Sequence, residues 1–297
     1  SIYSLIPYLE RKWGVHFPIG GTGALVQGLV RLIEGLGGRI RYGATVEKIL
    51  VEGRRVRGVE LASGEVIPAD VVVSNADSAY TYKHLLPREH RRRWTDRKLD
   101  AARYSMSLFV WYFGTDRKYE DVAHHTILLG PRYEELLNDI FERRVLAKDF
   151  SLYLHRPTAT DPALAPPGHD GFYVLSPVPH LDASIDWSNE AERYRQAIAR
   201  TLEDTVLPGL SRHLVVSRWM TPQHFKDELL SERGAAFGLE PTLTQSAWFR
   251  PHNQSEEVEG LFLVGAGTHP GAGVPGVLSS ARVLDRLIPP VSAADAA

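Results

Sequence analysis

The sequence has no cysteine in its 297 residues. Disulfides, thiolate nucleophiles and cysteine-held metals are therefore excluded. It has no apolar run approaching the ~18 residues that a membrane-crossing helix needs. Basic residues are not in excess. With 34 Lys+Arg against 36 Asp+Glu, the formal net charge of −2 gives no electrostatic footprint for nucleic acid. The basic run Arg88 to Arg93 is broken by Glu89 and His90 and reads as a solvated helix face. The G-x-S-x-G elbow of a hydrolase is missing. His124 and His125 are adjacent, and neighbours on a strand face opposite ways, so no metal site is expected. Ser1 to Leu5 carries neither a basic flank nor a cleavage site, so no secretory signal is read there. The rest is ordinary globular material: 43% hydrophobic and 24% charged residues, with length enough for one large or two medium domains.

What is present concentrates near the C-terminus. Leu261 to Val264 is a short apolar run, long enough for a buried strand. Six glycines between 260 and 276 let the backbone turn sharply or come close to a ligand. Pro275 and Gly276 stand where a helix can begin, and Val277, Leu278, Ala281, Leu284 and Leu287 continue it until Pro289-Pro290. A strand, a glycine-rich loop and a helix N-terminus suit an electron-rich or anionic group. A plain turn closing an α/β layer fits the same residues. Gly265-Ala266-Gly267-Thr268-His269-Pro270 begins like a dinucleotide fingerprint. It has Pro270 where the third glycine belongs, and no acidic ribose partner follows.

Along the chain, Ile2, Leu5, Ile6, Leu9 and Trp13 form a helical stripe read as a core face. A second helix is expected from Ala24 to Leu36, closed by Gly37-Gly38. Arg39 to Ile67 reads as three short strands, and Asp70 to Ser74 as a strand of the parallel-sheet kind. Asn75-Ala76-Asp77 either caps the next helix or lies near a ligand. Residues 78–245 alternate strands (Ser107 to Phe113, His125 to Leu129, Phe150 to His155, Phe172 to Pro177, Leu214 to Trp219) with helices (Tyr133 to Val145, Glu190 to Val206). That is an antiparallel sheet backed by helices. Trp248, Phe249 and Arg250 are expected at the seam where the chain returns to the first domain.

The run Leu263 to Gly276 resembles the C-terminal flavin signature of bacterial phytoene desaturases, carotenoid dehydrogenases that carry FAD. Phe17 to Leu25, Val73 to Asp77, Ser151 to His155, Pro177 to Leu181 and Leu243 to Asn253 resemble the same family in the same order. The family opens with a strand, a G-x-G-x-x-G turn and a helix that hold the FAD pyrophosphate. No such unit is found here, so the chain is expected to be the C-terminal part of a longer protein. The resemblance implies an α/β fold: an incomplete doubly wound FAD-binding domain plus a mixed or antiparallel-sheet α+β substrate domain. The expected limits are 1–15 (end of a helical substrate-domain segment), 16–77 and 246–290 (FAD domain), 78–245 (polyene domain) and 291–297 (disordered tail).

The resemblance further implies FAD as cofactor, with Val46, Gly265, Gly267, Thr268, Gly276 and Val277 as cofactor contacts. Gly20-Gly21 is either a tight helix entry or, by resemblance, a loop beside the flavin ring. The implied reaction desaturates a long apolar polyene, phytoene to products such as lycopene. A hydride leaves an allylic carbon for the flavin while a proton leaves its neighbour. No catalytic residue is assigned, and His269 reads as turn-stabilising or flavin-touching. The implied location is cytoplasmic and peripheral to a membrane. The amphipathic segment 131–145, flanked by Arg132, Arg143 and Arg144, is either the lipid contact or a core-facing helix. Two alternatives stay open: a non-enzymatic isoprenoid- or lipid-binding module, and another amine oxidase-like flavin oxidoreductase. Oligomeric state is unassigned.

Overall fold

The structure is a computed structural model that describes residues 5–288. The Pro289-Pro290 stop and the expected disordered tail lie outside the described residues. Two helices come first, α1 (Leu5–Trp13) and α2 (Gly21–Gly35). Strands β1 (Val46–Glu52), β2 (Arg55–Leu61) and β3 (Val66–Pro68) form the expected three-stranded antiparallel meander. β4 (Val72–Ser74) is followed by the short helices α3 (Ser78–Tyr80) and α4 (Asp96–Asp100).

The second half of the fold opens with β5 (Ser107–Thr115) and β6 (His125–Leu128). After α5 (Tyr133–Asn138) come β7 (Leu152–His155) and β8 (Asp170–Val178). The long helix α6 (Trp187–Thr205), α7 (Leu210–His213), β9 (Leu214–Met220) and α8 (Pro222–Asp227) follow. β10 (Leu261–Leu263) and α9 (Val274–Leu284) close the chain. β10 pairs with β4 in parallel, so strands separated by most of the chain share one small sheet.

β5 to β9 make a five-stranded antiparallel sheet in the order β6-β7-β8-β5-β9. Its inner face is read directly from alternation. Phe172 and Val174 of β8, Leu152 and Leu154 of β7, and Phe109, Trp111 and Phe113 of β5 are all buried. Helix α6 covers them with Trp187, Ala191, Tyr194, Ile198 and Leu202, spaced at three to four residues. Asp186 caps that helix by accepting from the Ser188 N–H at 3.0 Å. Each fully buried aliphatic or aromatic chain contributes roughly 1.5–3 kcal/mol, so this seam is the main source of cohesion. An ion pair sits behind it: Arg156 Nε lies 3.1 Å from Asp170 Oδ2, and both residues are buried.

A second core joins Ile49, Val56, Leu261 and Leu263 to Tyr82, Leu86, Trp94, Leu99 and Tyr104. Residues 79–104, which patterning groups with the polyene layer, thus pack on the meander and on β10. Their apolar side chains find partners far away in sequence, which local periodicity does not register. The core face expected on α1 is not seen at Trp13, and the apolar stripe of α2 is open as well. Trp13 is 60% exposed, and α2 has no buried residue: Leu25 and Leu29 are 41% exposed and Leu32 57%, and Leu36 just past the helix is 80% exposed. The stripe on α2 is real, but nothing among the described residues covers it.

Candidate functional site

The glycine-rich turn begins where β10 ends. Asn253 fixes it from below: its side-chain N–H donates to the Leu263 carbonyl at 3.2 Å and to the His269 carbonyl at 2.9 Å. Ser280 of α9 fixes it from the side, accepting from the Gly265 N–H at 2.8 Å and donating to the Val277 carbonyl at 2.6 Å. Ser78 donates to the Gly267 carbonyl at 3.2 Å, and Arg250 donates to the Ala266 carbonyl at 2.6 Å. The turn is therefore held by side chains from three separate stretches of chain.

The glycines serve close packing of the chain on itself. A Cβ on Gly265 would stand 2.6 Å from Asn75 Oδ1, and one on Gly276 would stand 2.6 Å from the Gly271 carbonyl oxygen. Gly265 also has φ +100°, a value that a side chain disfavours. Gly273 differs: its φ is +97°, and a Cβ there would meet only open space. It is the N-cap of α9, with no side chain capping it. The first-turn N–H groups of a helix have no intrahelical acceptor, and they carry the positive end of the helix dipole. Proline removes one of them at Pro275. Val277 spends its own N–H on the Gly273 carbonyl at 2.8 Å, leaving Val274 and Gly276 to present theirs.

The expected cofactor residues thus divide by position. Gly265, Gly267, Gly276 and Val277 are brought together at the turn and the α9 N-terminus. Thr268 belongs to the same turn but is fully buried, its hydroxyl donating to the Pro251 carbonyl at 2.6 Å. It braces the turn from behind and offers no side-chain surface to a ligand. Val46 lies apart, opening β1 beside a shallow cavity of about 370 Å³ lined by Tyr42, Gly43, Thr45, Ala62 and Ser63, among others. His269 is exposed.

Asp77, just after β4, takes the capping role. It caps α3, accepting from the Ala79 N–H at 2.8 Å and the Tyr80 N–H at 3.0 Å. Burial, with a smaller push from Glu232, raises its carboxyl to about 6 against the backbone donors that oppose the shift. A Cβ on Gly238 would sit 3.2 Å from Asp77 Oδ2 and 3.8 Å from Gly267 Cα, so this carboxyl is next to the turn. Composition and spacing gave no sign of its burial. Gly20-Gly21 forms the tight helix entry, with Gly20 at φ +86° and its N–H donating to Asp161 Oδ2 at 2.7 Å. At the seam, Arg250 is buried, but Trp248 and Phe249 are 71% and 54% exposed.

The outer face of the large sheet is open and aromatic. Tyr112 and Tyr173 are cross-strand partners with ring centroids 5.3 Å apart, and Tyr153 lies 6.0 Å from Tyr173. Burial pushes the Tyr173 phenol up to about 12, so it stays protonated. A long apolar ligand would meet ring faces here, with phenol hydroxyls at their edges.

Residues 1–283 match the family described as Flavin containing amine oxidoreductase. The chain belongs to that family. It is 51% identical over 295 residues to the phytoene desaturase (neurosporene-forming) of Rhodobacter capsulatus, covering 97% of this chain and 56% of that protein. It is 52% identical to the phytoene desaturase (lycopene-forming) of Pseudescherichia vulneris, covering 97% of this chain and 59% of that protein. The chain therefore spans a little over half the length of these curated relatives. Among solved structures, an oxidoreductase from Methanosarcina mazei superposes with a TM-score of 0.64 at 23% identity, covering 96% of this chain and 58% of that one. That likeness supports the α/β fold alone. Among the described residues, no helix is long and apolar enough to cross a membrane.

Proposed function

We propose that this chain supplies the flavin-ring side of the cofactor site and the substrate wall of an FAD-dependent carotenoid desaturase. One observation carries the reading. The uncapped N-terminus of α9 opens to solvent beside a braced glycine turn, in a chain half of whose residues match desaturases. Gly273 leaves the room that a bulky planar group needs, and the dipole end of α9 suits the charge such a group gains on reduction. Gly276 would hold FAD through its backbone N–H, with Val277 flanking it. Gly265 and Gly267 would shape the turn and Thr268 would stiffen it. Val46 and the adjoining cavity would serve the adenine end. Bound there, FAD would supply the two-electron acceptor for removing hydrogen from a saturated carbon pair.

This chain's own part is to bind, orient and exclude water. The tyrosines of the outer sheet face would take a polyene by buried area, at ~25 cal/mol per Å². The exposed aliphatic side chains of α2, with Val73 of β4 and Leu278 of α9, would meet the surface that completes the cofactor domain. The proposed division is a cofactor part containing residues 16–77 and 246–290, with residues 79–104 packed on it, and a polyene part built on the large sheet.

Peripheral attachment to a membrane is the companion proposal, because a long hydrocarbon substrate partitions into lipid. In the segment 131–145, Leu136 and Ile140 are buried and Arg132 and Arg143 are ion-paired. Tyr133 and Leu137 remain for lipid contact. Unchanged liposome flotation of a folded Leu137→Asp variant would remove that contact from the proposal.

The deciding experiment is to purify the full-length protein, record its visible absorption, and analyse products after feeding phytoene. A flavin band and conjugated products are expected. Folded protein that retains polyene without flavin would favour a binding module, and oxidation of an amine instead of phytoene would favour the amine oxidase reading.

A further inference from the structure

We infer that His124, His125 and His155 form a binding site for a divalent late transition metal, with Zn²⁺ as the reference ion. One ring nitrogen of each lies within 4.8 Å of the others, making this a three-histidine cluster at the edge of the large sheet. His125 and His155 are cross-strand partners on β6 and β7, which puts both rings on the open face. His124 joins them because it precedes β6 and lies in a bend, where strand alternation does not apply. The sequence argument that adjacent histidines point apart fails at this residue.

The outer partners suit ligation. His124 Nδ1 is 2.5 Å from Thr160 Oγ1, and His125 Nδ1 is 2.6 Å from the Tyr153 hydroxyl. Each contact orients its ring and leaves Nε2 to turn inward, the arrangement that metal-bound imidazoles commonly use. His124 Nε2 and His155 Nδ1 are buried and have no hydrogen-bond partner among the described residues. Buried ring nitrogens are normally paired, so two orphans within one cluster call for an explanation that a shared ion provides. Phe17 packs on the His124 ring at 4.8 Å and on the His155 ring at 5.8 Å, sheltering one side.

The donor set selects the metal class. Three imidazoles without thiolate or carboxylate suit Zn²⁺, Cu²⁺ or Ni²⁺ and do not suit Mg²⁺ or Ca²⁺. Zinc–nitrogen bonds of ~2.1 Å put tetrahedral ligand atoms roughly 3.4 Å apart, so a gap as wide as 4.8 Å must close by roughly 1.4 Å. His125 is exposed, so a fourth position faces solvent and the tyrosine face. The inference does not rest on the flavin reading.

The test is calorimetric titration of Zn²⁺ into untagged, chelator-treated protein, with Co²⁺ as a spectroscopic probe. A single equivalent at micromolar metal is expected, with the visible band of four-coordinate cobalt. Tyr153→Phe, which removes only an outer partner, should weaken binding by about 10–100-fold. His155→Gln should weaken it further, and His180→Gln, outside the cluster, should leave it unchanged. Circular dichroism verifies that each variant is folded. No saturable uptake by folded protein, or equal affinity in a His125→Gln/His155→Gln double variant, would overturn the site and leave three imidazoles packed as ordinary aromatic neighbours.

Discussion

Gly267 and Ser78 occupy each other's space. A Cβ on Gly267 would stand 2.5 Å from Ser78 Oγ, and that same hydroxyl donates to the Gly267 carbonyl at 3.2 Å. Gly267→Ala should therefore destabilise the chain by about 1–3 kcal/mol, the usual range for overpacking. Adding Ser78→Gly should recover part of the loss. Denaturant unfolding of the two variants checks this, and identical midpoints would show that the contact is slack.

Ser280 couples the turn to the last helix. Ser280→Ala leaves the buried Gly265 N–H without its acceptor, a loss expected to cost ~1–3 kcal/mol. In full-length protein the same variant should hold flavin less tightly than wild type. If unfolding and flavin retention are both unaltered, the hydroxyl is not a brace.

Asp170 carries more than a salt bridge. Besides Arg156, it accepts from the Tyr119 N–H at 2.8 Å and from the Thr158 hydroxyl at 2.7 Å. Asp170→Ala strands a buried guanidinium, and a destabilisation of about 3–5 kcal/mol is expected. The thermal midpoint should drop sharply, and a shift no larger than that of a surface substitution would contradict the assignment.

Asp77 sets a pH dependence. Its carboxyl moves from 3.8 in the open chain to about 6 when folded. Between those values the folded state binds more protons, so stability declines as pH rises through the window and stays lower above it. Asp77→Asn keeps an oxygen to cap α3 but carries no charge. The variant should be more stable at neutral pH by on the order of 2–3 kcal/mol, with the two curves converging below the window. Parallel stability–pH curves would mean that Asp77 is solvated.

Where a residue's partner is local or periodic, the sequence revealed it. The strand from Phe172 and the helix from Glu190 were legible from local pattern, though β8 begins at Asp170 and α6 at Trp187. The strand, glycine turn and helix from Leu261 onward were likewise readable from apolar runs and proline position. Three features were not. An exposed stripe on α2 has the same period as a buried one. His124 lies in a bend that no composition rule announces. Tyr82 and Trp94 join Leu261 through distant contacts that a scanning window does not see.

Helix α2 turns Leu25, Val26, Leu29, Leu32 and Ile33 into water, and Leu36 at its end follows them. So long a greasy flank makes this polypeptide adhesive on its own. Concentrated samples should self-associate, and mild detergent should return them to monodispersity.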